Sequence, residues 1–244
     1  MKPTFVLCLM KVISLLPLGV ARFFGRLMGT GLAALGTKAF KVTQCNLAVC
    51  YPDQNQSRND QLANNRMGHL GQAFFETPVL WNRSSQWLQS HIIAVEGESH
   101  LKEALANDRG TVLLIPHLGN WEVIGLWVAA QTTMTSLYQP PKMPAFGEWI
   151  KRSREKTGAN LVPTNVSGVA ALLKALKKGE TVAILPDQQP PKSSGDFSPL
   201  FGVQALTMTL THNLLKRSDS QAIFCCPLRE KGGWRLHFVP ADQA

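Results

Sequence analysis

The chain carries no aspartate or glutamate before Asp53, whereas Lys2, Lys11, Arg22, Arg26, Lys38 and Lys41 all fall in that stretch. The remainder holds 19 basic against 16 acidic residues, so the net charge of +9 belongs mainly to the N-terminus. A basic end of this kind suits an anionic membrane surface. Cysteine is scarce: Cys8, Cys45, Cys50, Cys225 and Cys226 give an odd count with no CxxC spacing. That excludes a disulfide framework and points to reduced thiols in a cytoplasmic compartment. The six histidines include no HxxxH or HExxH pair, so no metal site is expected. Internal repeats and a second domain are likewise missing. With 45% apolar and 17% charged residues over 244 positions, a disordered chain is excluded, and one sizeable core can form.

Long uninterrupted apolar runs are also missing. Pro3 to Val20 is the nearest approach, but Lys11 and Pro17 break it. As one helix it would cover about 27 Å, slightly short of a bilayer core of about 30 Å. Two arrangements fit: a marginal single span, or two helices lying in the interface with their basic side chains reaching to water. A cleaved signal peptide and a buried helical hairpin are the rival readings. The segment 1–40 is thus expected to be a membrane-associating helical region, followed by a domain over 41–244.

Beyond this segment the patterns are regular. "CNLAVCYPDQNQ" ends a helix, and "SRNDQLANNRMGHLGQAFFE" starts another with a Ser57–Asp60 capping box. From His91 onward short apolar strands ("HIIAV", "TVLLI", "TSLYQ", "NLV", "TVAIL") alternate with helical stretches. This alternation predicts an α/β fold with a mostly parallel central sheet flanked by helices. "PDQQPPKSSGDFSP" reads as a loop, and "AIFCCPL" and "WRLHFV" read as two closing strands that pair around "EKGG".

One stretch carries chemistry. "LLIPHLGNWEVIG" ends a buried strand at Pro116 and then sets His117 and Glu122 around Leu-Gly-Asn-Trp. Ligands gather beyond the carboxyl ends of strands in such sheets. Asn120 is expected to cap the next helix, with Glu122 in its first turn. From there Glu122 is expected to reach back to one imidazole nitrogen, leaving the other to act as a general base. The stretch holds no nucleophilic serine or cysteine, so the attacking hydroxyl would come from the substrate.

"HLGNWE" resembles the signature of the lipid A biosynthesis acyltransferases, the late acyltransferases that add secondary acyl chains to lipid A precursors. The likeness extends through "NLAVCYP", "GESHLKEALANDRGTVLLIPHLGNWE", "SLYQPPKMP", "REKTG", "LKKGETVAILPDQQ" and "SPLFG". It implies a glycerolipid-acyltransferase-like fold and makes His117 and Glu122 the catalytic dyad. By the same resemblance Arg154 corresponds to an arginine near the active centre, suited to an oxyanion or a phosphate, and Asp187 to the acid after the next strand. Asn120 joins them as a residue that shapes the turn. The Pro199–Gly202 turn is placed beside the acyl or headgroup site.

The resemblance further implies an acyl carrier protein thioester as donor, a phosphorylated glycolipid as acceptor, and action at the cytoplasmic face of a bacterial inner membrane. It implies no cofactor and no nucleic acid partner. Because family members continue for several tens of residues past the position of Ala244, the domain is expected to lack their C-terminal portion. A glycerolipid acyltransferase, a thioesterase and a non-catalytic lipid-binding subunit are the competing readings. The first of these normally carries aspartate at the second dyad position and a Gly-Thr-Arg-type motif, neither of which occurs here.

Overall fold

The computed structural model describes residues 3–242. The apolar N-terminus forms two helices rather than one. α1 (Pro3–Ser14) stops before Pro17, and α2 (Leu18–Ala34) begins after it. Proline cannot donate to the preceding turn, so the run breaks there. Among the described residues no helix is long and apolar enough to cross a membrane, so the single-span arrangement is not found. α3 (Lys38–Cys50) follows, and then the long α4 (Gln56–Asn82). The side chain of Asn55, not the expected Ser57, caps α4 by accepting from the Arg58 N–H. The helix therefore starts before the Ser57–Asp60 pair, which leaves no orphan donor there for the box to serve.

After α5 (Ser85–Ser90) the predicted alternation appears. It runs β1 (Ile92–Glu96), α6 (Glu98–Ala106), β2 (Thr111–Leu114), α7 (Glu122–Ala129), β3 (Met134–Tyr138), α8 (Pro144–Glu155), β4 (Ala159–Pro163), α9 (Val166–Leu176) and β5 (Thr181–Ile184). The end of the stretch read as a loop instead forms most of β6 (Gly195–Leu200), which pairs with β7 (Val203–Met208) in a separate antiparallel hairpin. Its Pro and Gly content hid short exposed strands whose side chains show no inward-facing alternation. α10 (Leu210–Ser218), β8 (Gln221–Glu230) and β9 (Gly233–Pro240) complete the fold.

The central sheet has the order β1-β9-β8-β2-β5-β3-β4, parallel throughout except for the β8–β9 hairpin. Helices cover both faces. Every residue of β2 and β5 is buried, as a two-sided sheet requires. Successive residues of β2 serve opposite sides. Leu113 and Ile115 join Val123, Trp127 and Trp234, while Val112 and Leu114 join Leu172, Leu176 and Leu214. The result is a rigid platform whose central strands end side by side.

The N-terminal helices pack on this platform through α4. α2 turns Ala21, Arg22, Gly25, Gly29 and Ala33 inward, a stripe of small residues at helical spacing. At the crossing, a Cβ on Gly71 would lie 2.0 Å from the Gly25 carbonyl oxygen, and one on Gly29 would lie 2.0 Å from that of Met67. Glycine is therefore required for the backbones to meet. The outer face of α1 and α2 stays apolar: Phe5, Val12, Leu15, Phe23, Leu27 and Leu35 are all exposed.

The deepest polar group is Glu76 of α4, which is 0% exposed. Arg22 reaches it from α2 (Nε to Oε1, 2.5 Å), and Arg229 reaches it from β8 with two bonds of 2.7 and 3.0 Å. Arg22 also donates to the carbonyls of Glu230 and Gly233 and lies over the Trp234 ring. One carboxylate thus fastens α2, α4 and the terminal hairpin together. Burial pushes the Arg22 guanidinium below its ordinary value, against the pull of Glu76.

Two stability outcomes follow from these contacts. Gly71→Ala gains about 0.5–1 kcal/mol of helix propensity but forces a methyl group into backbone, a cost of about 1–3 kcal/mol or more, so it lowers the denaturation midpoint. Gly31→Ala on α2, with nothing within 4 Å of the new carbon, raises it. Glu76→Ala strands two arginines in the interior and costs about 3–5 kcal/mol in urea unfolding. A change below about 1 kcal/mol would mean that the network is solvated.

Candidate active site

β2 and β5 are adjacent and parallel, so the loops at their carboxyl ends meet. His117 lies just past the first strand and Asp187 just past the second. The Asp187 carboxylate holds His117 twice: Oδ2 accepts from the His117 backbone N–H at 2.8 Å, and Oδ1 lies 2.8 Å from Nδ1. A carboxylate at Nδ1 fixes the proton there, which leaves Nε2 with its lone pair. Gln188 occupies that position, its side-chain nitrogen 3.1 Å from Nε2.

Glu122 does not reach the imidazole, contrary to the expectation from the spacing. It is the first residue of α7, where the helix dipole favours a carboxylate, and it is 3% exposed. Its partner is Arg154 in the last turn of α8. Nη2 lies 2.6 Å from Oε1, and Nε lies 3.2 and 3.1 Å from the two oxygens. A planar guanidinium satisfies a buried carboxylate far better than a single imidazole N–H, and α8 brings it within reach. The Trp121 ring (4.9 Å to the guanidinium carbon) and the Tyr138 ring (5.4 Å) flank Arg154. Burial raises the Tyr138 hydroxyl above its ordinary value, opposed by Arg154.

Arg154 is set apart from its helix neighbours. Lys151 and Arg152 pair with Glu155 and Glu148 along the exposed face, whereas Arg154 turns inward. Lys156 serves another purpose: its ammonium donates to the carbonyls of Leu80, Trp81 and Arg83 at the C-terminus of α4. Burial pushes it down to about 8.

Asn120 is buried but does not cap α7 with its side chain. It turns toward α4, donating to Glu76 Oε2 and accepting from the Thr77 hydroxyl, both at 3.4 Å. The buried Glu76 carboxylate competes for its amide, so Asn120 ties the turn that carries His117 to the structural network. Gly119 completes that turn with φ 63°, where an added Cβ would lie 2.3 Å from the Pro227 carbonyl oxygen.

His117, Trp121, Glu122, Tyr138, Arg154 and Gln188 share one cavity of about 480 Å³, whose remaining wall is mostly apolar, including Leu126, Met134, Leu137, Ile150 and Leu161. The structure therefore brings four of the five predicted residues to one hollow or its rim, in two pairs: His117 with Asp187, and Glu122 with Arg154. Asn120 stands behind them. Gln188 and Tyr138 were not singled out by the sequence, although Gln188 adjoins Asp187 in "PDQQ" and Tyr138 ends β3. The Pro199–Gly202 turn is the tip of the β6–β7 hairpin. There Phe201 rests against Tyr51 rather than in this cavity. Among the described residues no cluster suited to a metal ion occurs.

A family model described as bacterial lipid A biosynthesis acyltransferase matches residues 3–243. The chain is 26% identical over 233 residues to the lipid A biosynthesis palmitoleoyltransferase of Escherichia coli (strain K12), covering 92% of this chain and 74% of that protein. It is 26% identical over 226 residues to the lauroyltransferase of the same organism, covering 88% and 72%. A lipid A biosynthesis acyltransferase of Haemophilus influenzae is 26% identical over 226 residues, covering 89% and 70%.

The pairing of these side chains is open to a direct test. In nitrogen-15 spectra of histidine-labelled protein, the neutral imidazole of His117 should carry its proton on Nδ1 rather than Nε2. Asp187→Asn should disturb that pattern, because an amide no longer demands the proton at Nδ1. Glu122→Gln should leave it nearly unchanged. The reverse order of effects would restore a direct His117–Glu122 contact.

Proposed function

The chain belongs to the bacterial lipid A biosynthesis acyltransferase family, and we propose that it moves a fatty acyl chain from an acyl carrier protein thioester to a hydroxyl of a phosphorylated, Kdo-bearing lipid A precursor. The observation that carries this reading is His117 at the rim of an apolar cavity, held by Asp187 through Nδ1 so that Nε2 faces away from the carboxylate. The cavity suits a hydrocarbon chain. The +9 charge suits an acidic carrier, a phosphorylated acceptor and an anionic membrane alike.

In the proposed step, Nε2 takes the proton of the acceptor hydroxyl as its oxygen bonds to the thioester carbonyl carbon. The carbon–oxygen double bond becomes a single bond, and the negative charge on that oxygen falls to Arg154. Glu122 holds the guanidinium by Nε and Nη2, while among the described residues Nη1 makes no hydrogen bond and is left to donate. Collapse of the intermediate breaks the carbon–sulfur bond, and the thiolate recovers the proton from Nε2. His117 and Glu122 thus both serve the reaction, one as the base and the other through Arg154. Asp187 keeps the imidazole in the correct tautomer and stabilises its charged form.

We place the enzyme on the cytoplasmic face of the inner membrane, with the exposed apolar face of α1 and α2 in the interface. Phe23, Phe24 and Leu27 on that face, together with basic side chains on the same segment, are the combination such surfaces bind.

The test is reconstitution with acyl carrier thioester and purified precursor, read by mass spectrometry of the lipid. The product should gain the mass of one acyl chain. His117→Ala should abolish transfer, Asp187→Asn should reduce it by about 10² to 10⁴-fold, and Arg154→Ala by about 10² to 10³-fold. Adding Glu122→Gln to Arg154→Ala should cost little more, since the two act as a unit. Hydrolysis of the donor at full rate without acceptor would make the protein a thioesterase instead.

A further inference from the structure

Gln188 stands where the second substrate must arrive. In the tautomer that Asp187 imposes, Nε2 has a single lone pair, and the Gln188 side-chain amide lies 3.1 Å from it. The amide and an acceptor hydroxyl therefore exclude one another. The His117 side chain is one-third exposed, so water reaches the imidazole edge and competes for the same lone pair.

Gln188 also lies on a boundary. It lines the cavity of about 480 Å³ that holds His117 and Arg154, and it lines a second cavity of about 850 Å³ between the strand ends and the β6–β7 hairpin. Asp187, Lys192, Gln204 and Thr207 bring polar groups to the second cavity, whose surface is otherwise mostly apolar, with Pro116, Phe197, Leu206 and Phe224 among its lining residues. The contact runs through the Gln188 side chain alone, so a rotation of that side chain is enough to open it. That side chain is exposed and has room to swing.

We infer that Gln188 is a displaceable plug on the base: it occupies His117 Nε2 in the empty enzyme, yields to the acceptor hydroxyl, and so restrains the attack of water on the donor thioester. The inference rests on the acyl-transfer reading for its kinetic consequence and on geometry alone for the contact. One hydrogen bond to a neutral partner is worth about 0.5–1.5 kcal/mol, which sets the expected effects at about two- to tenfold.

The experiment compares wild type with Gln188→Ala, using acyl carrier thioester with and without the purified lipid acceptor. Without acceptor, donor hydrolysis should rise about two- to tenfold in Gln188→Ala, and the excess should vanish when His117→Ala is added. With acceptor, KM for the lipid should fall by a similar factor while kcat changes less. A fall in kcat with KM and hydrolysis unmoved would make Gln188 a participant in the transition state and overturn the plug. A second measurement needs no substrate: the Nε2 nitrogen-15 resonance of His117 should shift in Gln188→Ala, and an unmoved resonance would overturn the contact. If wild type forms no acylated lipid while that resonance does shift, the acyl-transfer reading fails and the Gln188 contact stands.

Discussion

The turn that carries His117 is fastened from behind to the carboxylate of Glu76. A fully buried charge is tolerable only when it is paired and hydrogen-bonded. This one takes Arg22 from α2, Arg229 from β8 and the Asn120 amide from the turn after β2. The N-terminal helices are consequently part of the same packed body as the sheet, and the loop that presents His117 is braced from behind. The catalytic face needs no carboxylate from α4 itself, yet its geometry depends on one.

In front of that brace, the site is assembled from two hydrogen-bonded pairs of side chains. Asp187 and His117 are 70 positions apart, and Arg154 and Glu122 are 32 apart. Parallel pairing of β2 with β5 closes the first distance, and the placement of α8 beside α7 closes the second. The division of labour is chemical as well as spatial. In the proposed reaction the partly exposed pair would handle a proton, while the buried pair holds an arginine against an apolar cavity. A lysine in place of Arg154 would satisfy Glu122 less well and present no second edge to the substrate.

Much of this was legible in the sequence. The switch from helical periodicity to alternating strands announced the sheet, and "IPHLGN" marked where a strand must stop. The resemblance carried by "HLGNWE" and its neighbours also singled out His117, Glu122, Arg154 and Asp187, which the structure gathers around one cavity. Their partners were not. Spacing shows that His117 and Glu122 are close along the chain, but it cannot show that β5 lies beside β2, nor that an arginine competes for the same carboxylate. Asn120 was misread for the same reason, since the cap position is local whereas the demand of Glu76 is not. The β6–β7 hairpin escaped because its strands are mostly exposed, which erases the period-two signal, and because β6 carries Pro199.

The Arg22–Glu76–Arg229 tie also constrains the order in which the chain can fold. Arg22 donates to Glu230 across 208 positions, so the contact has one of the largest loop closures in the molecule. During synthesis α2 and α4 are made long before β8 and β9, and until then Glu76 has one arginine instead of two. Contacts of such high order form slowly and late. The nascent N-terminal half therefore spends its early life with a half-satisfied charge at its centre and the apolar flank of α1 and α2 open. An apolar surface met at that stage would cover that flank until the second arginine arrives.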